Sequence, residues 1–148
     1  MNVILIDNPD NWQNLKPFTL TRPVSQIRVG ALTIAEKWER YLSSPLSCIT
    51  SDYLSIKYKC SYSDDNLYIS SNLLPDLPII EAIKSLNIGQ ALKKEGRTIA
   101  RRTSLKLNFE NQDVDGEELV EYEKEVNHLI NLWDIFKLNG KEIEQDFQ

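Results

Sequence analysis

Glycine is scarce in this chain: five residues in 148, the first of them Gly30. A loop that cradles phosphate with bare backbone N–H groups needs glycine. The stretch after the first apolar run reads Asp7-Asn8-Pro9-Asp10-Asn11-Trp12-Gln13-Asn14, which has none and adds two carboxylates that repel phosphate. Histidine occurs once, so a Ser-His-Asp or Cys-His arrangement has to use His128. Nothing in the sequence ties it to Cys48, Cys60 or a particular serine, and it reads as structural. Two cysteines are too few for a disulfide framework or a zinc knuckle and read as reduced thiols. No apolar run approaches the roughly 20 residues that cross a bilayer, and Asp7 is reached without the basic flank of a secretory signal. The expected compartment is the cytoplasm. Basic charge is also short, 17 side chains against 22 acidic ones for a net −5. That field argues against a dedicated partner among nucleic acids or anionic membranes, while one local basic patch remains compatible with a phosphate-bearing ligand.

The length suits one compact domain with a single core. Val3-Ile4-Leu5-Ile6 is a short β-branched run of the kind buried on both faces of a parallel sheet. Residues 8 to 29 hold three prolines and little periodicity, and read as a long loop with extended pieces. From Ala31 the period becomes helical: Ala31, Ile34, Ala35, Trp38, Tyr41 and Leu42 share one face, with Glu36, Lys37, Glu39 and Arg40 opposite. Glu36 and Arg40 form a favourable i,i+4 pair, and Ser43-Ser44-Pro45 stops the helix. A second strand is expected over Leu46–Thr50, a short helix capped by Asp52 over Tyr53–Lys59, and a third strand over Leu67–Ser70. Pro75-Asp76-Leu77-Pro78 introduces a helix with Ile79, Ile80, Ile83 and Leu86 inward, closed by Gly89. This alternation predicts a parallel α/β sheet.

The second half predicts short antiparallel strands over Gln90–Lys93, Thr98–Arg101 and Ser104–Phe109, then an acidic loop over residues 110 to 118. Glu121–Ile130 fits strand and helix equally. Leu132-Trp133-Asp134-Ile135-Phe136 is apolar enough to dock on the core, and Asn139-Gly140-Lys141-Glu142 has a capping-box layout that would open a last helix through Phe147. A chain ending inside that helix suggests a domain cut from a longer protein. Trp12, Trp38 and Trp133 read as core or docking residues; an exposed Trp133 would mark the surface that meets a further C-terminal part.

Several segments carry a family resemblance. Leu15-Lys16-Pro17-Phe18-Thr19 is similar to the Pro-Leu-Thr step of sugar-phosphate nucleotidyltransferases, and Arg22-Pro23 to the residues before their lysine. Ile27–Ile34 resembles their passage from strand into helix, and Leu67–Leu73 the strand ending in Gly-Asp that supplies a metal-binding carboxylate. Thr21-Arg22-Pro23-Val24, Ile27-Arg28-Val29-Gly30, Leu32-Thr33-Ile34 and Trp38-Glu39 together look like a bacterial group related to N-acetylglucosamine-1-phosphate uridyltransferase. Members of that group continue into a left-handed β-helix of the acyltransferase type. Trp133–Gly140 and Asp146-Phe147 match near that junction, and no hexapeptide repeat is present here.

The resemblance implies a shortened, nucleotide-diphospho-sugar-transferase-like α/β/α sandwich with a mixed sheet. Residues 1–148 would form one domain, the N-terminal part of a longer protein with the β-helix domain as partner. By ancestry the domain transfers a nucleotidyl group to a sugar 1-phosphate, with Mg²⁺ as cofactor if active. It departs from the family pattern where the glycines are missing, where Val24 replaces the lysine, and where Ser71-Asn72 replaces Gly-Asp. Asparagine is neutral and holds Mg²⁺ more weakly than a carboxylate; loss of one such electrostatic element commonly costs on the order of 10² to 10³ in rate. The expectation is therefore a domain weakened or inactive in isolation. The alternative is a non-catalytic binding or assembly module for the appended acyltransferase. An oligomer is compatible with either.

Candidate phosphate-binding residues are Arg22 and Arg28, which either clamp phosphate or fix the loop by pairing with Asp7, Asp10 or Glu36. Asp7, Thr21 and Asn72 are the candidate cleft residues, with Asp7 the metal ligand if the domain is active; no metal ligand follows from the residues themselves. The basic cluster Lys93, Lys94, Arg97, Arg101 and Arg102 reads as a solvated hairpin face, the alternative being contact with an anionic partner domain. Asn111, Asp113, Asp115 and Gly116 begin like a calcium loop, but Tyr122 stands where its bidentate glutamate is required. The glutamates from Glu117 to Glu125 read as solvated surface.

Overall fold

The apolar run near the start forms β1 (Asn2–Ile6), with Val3 and Leu5 facing one layer and Ile4 and Ile6 the other. The structure, a computed structural model, describes residues 2–16, 18–112 and 114–147, without the side chains of Asp10, Asn11 and Leu132. The expectations placed on Pro17, Asp113 and Gln148, and on the side chain of Asp10, lie outside the described residues.

After β1 the chain is not the long loop expected. Pro9, whose fixed φ suits the first helical turn, opens a short α1 (Pro9–Asn14), and two 3-10 turns follow at Phe18–Leu20 and Val24–Gln26. A hairpin of β2 (Arg28–Val29) and β3 (Leu32–Thr33) then leads into α2 (Ile34–Leu42). Thr33 and Glu36 form the capping box of α2, and Ser43 ends it in the left-handed region at φ 52°. Glu36 thus serves the cap rather than pairing with Arg40, which donates to the Asp146 carbonyl at 2.9 Å. β4 (Leu46–Ile49) and β5 (Asn66–Ser70) fall as expected, and α3 (Asp52–Ser55) starts one residue after its cap Ser51, so Asp52 sits inside it. After β6 (Leu73–Leu74), the Asp76 side chain caps α4 (Leu77–Lys84) by accepting from the Ile79 N–H at 2.9 Å; Ile79, Ile80, Ile83 and Leu86 are buried.

β7 (Gln90–Lys94) and β8 (Arg97–Thr103) form the expected antiparallel hairpin. Ser104–Phe109 is not a strand. Leu107 still tucks under the sheet, and Tyr68 holds this segment by donating to the Leu105 carbonyl, so side-chain alternation here reports a packed coil. β9 (Glu118–Glu121) takes the end of the expected acidic loop into the sheet, and β10 (Asn127–His128) settles part of the ambiguous stretch as strand paired with β6. The last helix, α5 (Leu132–Asp146), runs straight through Asn139-Gly140. Its capping box is Asn131 with Asp134, eight residues upstream of the expected Asn139 and Glu142. Of the expected docking run, Ile135 is buried, whereas Trp133 and Phe136 are 65% and 74% exposed.

The main sheet has the order β4-β1-β5-β8-β7-β9. β4, β1 and β5 are parallel, β8 is antiparallel to both neighbours, and β9 is parallel to β7. This mixed sheet in an α/β fold is the class expected. Its better-covered face carries α2, α4 and the inner side of α5, with Trp38 fully buried and donating from Nε1 to the Leu73 carbonyl at 2.9 Å. The other face holds Ile4, Ile6, Ile49, Tyr68 and Leu107, with Phe109 against them; Trp12 of α1 meets Phe109 and Tyr53 of α3 edge to face.

Lys37 lies inside the fold, not on the solvated face of α2. Its Nζ reaches Glu142 at 3.2 Å and Asp146 at 2.6 Å, both on α5. Helical periodicity sorted Lys37 with its polar neighbours because the carboxylates it meets are more than 100 residues away. Asp146 Oδ2 also accepts from Ala31 and Leu32, and Asn139 Oδ1 from Gly30. Gly30 is needed here: φ is +78°, and a Cβ would sit 2.8 Å from the α5 backbone at Glu142 and Ile143.

Candidate functional site

In open α/β sheets, ligands bind outside the carboxyl ends of the parallel strands. At that edge β1 ends in Asp7 and Asn8, and β5 in Ser70, Ser71 and Asn72. Because β8 is antiparallel to β5, its first residues come to the same edge, together with the turn that joins it to β7. The result is a cavity of about 640 Å³ whose lining includes Asn72, His128, Lys94, Arg97 and Arg101. Glu95 is the carboxylate on its rim. A smaller recess of about 60 Å³ adjoins it beside Tyr68 and Leu107.

Asp7, the residue before the lining Asn8, lies behind the cavity wall and is fully buried. Its Oδ1 accepts from Ser71 at 2.5 Å, while Oδ2 accepts from Thr50 at 2.8 Å and from the Val24 N–H at 3.2 Å. One carboxylate thus ties together the ends of β1, β4 and β5 and the second 3-10 turn. Burial raises its pKa from the ordinary 3.8 to about 6, against the lowering effect of those three donors. Gln112 donates to the Asp7 carbonyl at 2.7 Å, and its own carbonyl accepts from Arg101, which also pairs with Glu117 at 3.3 Å. Arg101 is therefore a fixed part of the wall. Lys94 reaches the Glu123 carbonyl at 3.3 Å. Arg97 is exposed, and among the described residues it has no hydrogen-bond or ion-pair partner. Burial, and then the neighbouring Arg97, push the His128 imidazole below its ordinary pKa, so it faces the cavity neutral.

Of the five residues picked from the sequence, one lines the cavity and one supports it. Asn72 is on the wall, with Oδ1 accepting from Ser70 at 2.6 Å and Nδ2 donating to Leu129 at 2.8 Å. Asp7 lies behind it. Thr21 and Arg22 are exposed and outside the lining. Arg28 is turned to its own hairpin, donating to the Ala31 carbonyl near Glu36. Neither arginine pairs with Asp7, whose oxygens are taken by Ser71, Thr50 and Val24. Val24, at the family's lysine position, has no exposed surface. The residues missed as a site are Lys94, Arg97 and Arg101: their clustering was visible, and their place at the same edge as Asn72 follows from the β5–β8 pairing.

A family model described as sugar nucleotidyl transferase matches residues 3–148. The chain belongs to the sugar nucleotidyl transferase family. A comparison with curated protein sequences gives no match. For a family nucleotidyl transferase, the donor set of this cleft does not fit the Mg²⁺ that the resemblance implies. Asn72 is neutral with its amide engaged, Asp7 is enclosed, and among the described residues no three Asp, Glu, His or Cys side chains gather as a metal group. Another concavity of about 430 Å³ lies between α2, α4 and α5, away from the strand edge. There Lys37 is engaged by Glu142 and Asp146, and Arg40 by the Asp146 carbonyl. Among the described residues no helix is long and apolar enough to cross a membrane.

Proposed function

We propose that this sugar nucleotidyl transferase family domain binds a nucleotide or sugar phosphate at the strand edge, and that its nucleotidyl transfer to sugar 1-phosphates is weakened or lost. The observation that carries the reading is that Lys94, Arg97 and Arg101 line the same cavity as Asn72, of about 640 Å³. That volume suits a small phosphorylated ligand, and an unpaired guanidinium is suited to bidentate contact with phosphate. The neutral His128 supplies a donor or acceptor beside it. Arg22 and Arg28 act on the ligand only if the loop before α2 moves toward the edge. The buried Val24 and the engaged Asn72 argue against efficient metal-assisted transfer.

Kinship to the N-acetylglucosamine-1-phosphate uridyltransferase group, a cytoplasmic setting and an appended β-helix complete the proposal. The second reading, a non-catalytic assembly module for that β-helix, is favoured by the same spent donors. Calorimetry with nucleoside triphosphates, sugar 1-phosphates and inorganic phosphate, with and without Mg²⁺, tests binding; pyrophosphate release tests turnover. Binding without turnover is the expected result. No binding of any phosphate compound would sink the proposal, and robust Mg²⁺-dependent turnover would overturn the weakened chemistry.

A further inference from the structure

The last helix is amphipathic in the inverse sense. Its inner face meets the domain through polar groups, Asn139 on Gly30 and Glu142 and Asp146 on Lys37, with Ile135 buried and Leu138 partly buried against the core. Its outer face presents Trp133, Phe136 and Ile143, with Phe147 just past its end, at 65%, 74%, 38% and 79% exposure. An apolar face is normally the one that packs inward. At the middle of this outer face stands Gly140, where an added Cβ would meet nothing within 4 Å. Glycine disfavours a helix interior relative to alanine, and among the described residues no contact requires it there.

The order of side chains along the face is symmetric about Gly140. Trp133 lies seven residues before it and Phe147 seven after; Phe136 lies four before and Ile143 three after. On one flank of the same face, Lys137 stands three residues before and Glu144 four after, both exposed. We propose that α5 packs antiparallel against α5 of a second copy of this chain, about a two-fold axis beside Gly140. At about 1.5 Å rise per residue, this register sets Trp133 against the partner's Phe147 and Phe136 against the partner's Ile143. It also sets Lys137 beside the partner's Glu144, at heights within one residue of each other, and every contact occurs twice, as an isologous interface requires. Gly140 meets its own counterpart, where the absent side chain lets the helices approach closely. In the reverse, parallel arrangement Lys137 and Glu144 face the partner's Phe136 and Ile143 flank and form no ion pair, so charge favours the antiparallel direction.

Sedimentation velocity on the 148-residue chain over a concentration series tests this, with circular dichroism to verify folding of each variant. The expected result is a monomer–dimer equilibrium. Phe136→Glu raises the dissociation constant at least about 10-fold, the equivalent of about 1.4 kcal/mol. Lys137→Glu and Glu144→Lys each weaken the dimer, and combining them restores it, because the reversed pair still meets across the axis. Gly140→Leu leaves the helix formed and abolishes pairing. A monomer at every concentration overturns the proposal, as does a dimer indifferent to Phe136→Glu or a double reversal without rescue. A face that becomes protected only in a chain extended beyond residue 148 assigns it to that extension and likewise overturns pairing between copies.

Discussion

Two buried polar centres hold this domain together, and they solve the same problem in opposite ways. Behind the cleft wall, Asp7 is enclosed without a cation; hydroxyls and one backbone N–H satisfy its oxygens, and burial raises its pKa to about 6. Under α5, Lys37 is enclosed with two carboxylates, its Nζ at 3.2 and 2.6 Å from them. The first centre fixes where the strand ends lie, and so supports the wall of the strand-edge cavity. The second fastens an element whose apolar contact with the core is thin. A lone buried carboxylate answers to pH, whereas a paired one answers to the loss of its partner.

The largest expected effect follows from that second property. Lys37→Met leaves Glu142 and Asp146 buried without their cation, and breaking such a pair costs about 3–5 kcal/mol. Urea unfolding measures it, and adding Glu142→Gln recovers part of the loss. A loss below 1 kcal/mol would place α5 on apolar packing instead and dissolve the contrast.

Asp7 carries the next effect, of up to about 3 kcal/mol for a shift of this size. Its carboxyl is protonated more readily in the folded state, about 6 against the ordinary 3.8. The folded state therefore binds more protons between those values, and stability falls as pH rises through that window, then levels off. Glu142 is also raised by burial and shifts the profile in the same direction, so the informative quantity is the difference between the parent and Asp7→Asn. Cys48 stays neutral throughout, its thiol pushed up to about 12 by burial and by Asp7. The parent should lose stability relative to Asp7→Asn across the window; parallel profiles would mean that the carboxyl titrates normally.

How far each centre was legible from sequence differs for a physical reason. The strands β1, β4 and β5, the inward isoleucines of α4 and the place of Asn72 at the end of β5 were readable, because local periodicity and chain order determine them. Lys37 was not, since its carboxylates are distant in sequence and a helical pattern counts only neighbours. Asn139-Gly140 imitates a helix start, yet Asn139 spends its side chain on Gly30. Lys94, Arg97 and Arg101 were seen as a cluster, but only the β5–β8 pairing brings their hairpin to the ligand edge. Arg22 and Arg28 drew attention through the resemblance, and the fold around Val24 leaves them outside the cavity.

A third effect separates the cleft wall from the carboxylate behind it. Arg97→Ala removes an exposed, unpaired guanidinium, so stability should change by less than about 0.5 kcal/mol. Affinity for a phosphate-bearing ligand should fall about 10-fold, within the range of one charged hydrogen bond. Asp7→Asn should do the reverse, altering the pH profile of stability while leaving affinity at pH 7 within about 2-fold, well under the tenfold that 1.4 kcal/mol gives. Calorimetric titration beside thermal melts checks both; an affinity loss in Asp7→Asn equal to that in Arg97→Ala would put Asp7 in contact with the ligand.

The smallest effect comes from a pair that neither centre encloses. Arg102 donates from Nε and Nη2 to the two oxygens of Asp65 at 2.9 and 2.7 Å, about a quarter exposed on each side. This is good fork geometry in contact with water, and such pairs contribute about 0.2–1 kcal/mol. Arg102→Ala should therefore cost little, and raising salt should shrink the cost further, because exposed charges are screened within about a nanometre. The same salt series on Lys37→Met should leave its larger cost nearly constant, since the three charged groups are themselves almost wholly buried. If both costs fell together with salt, the Lys37 centre would be behaving as surface, and burial would not be what distinguishes the two.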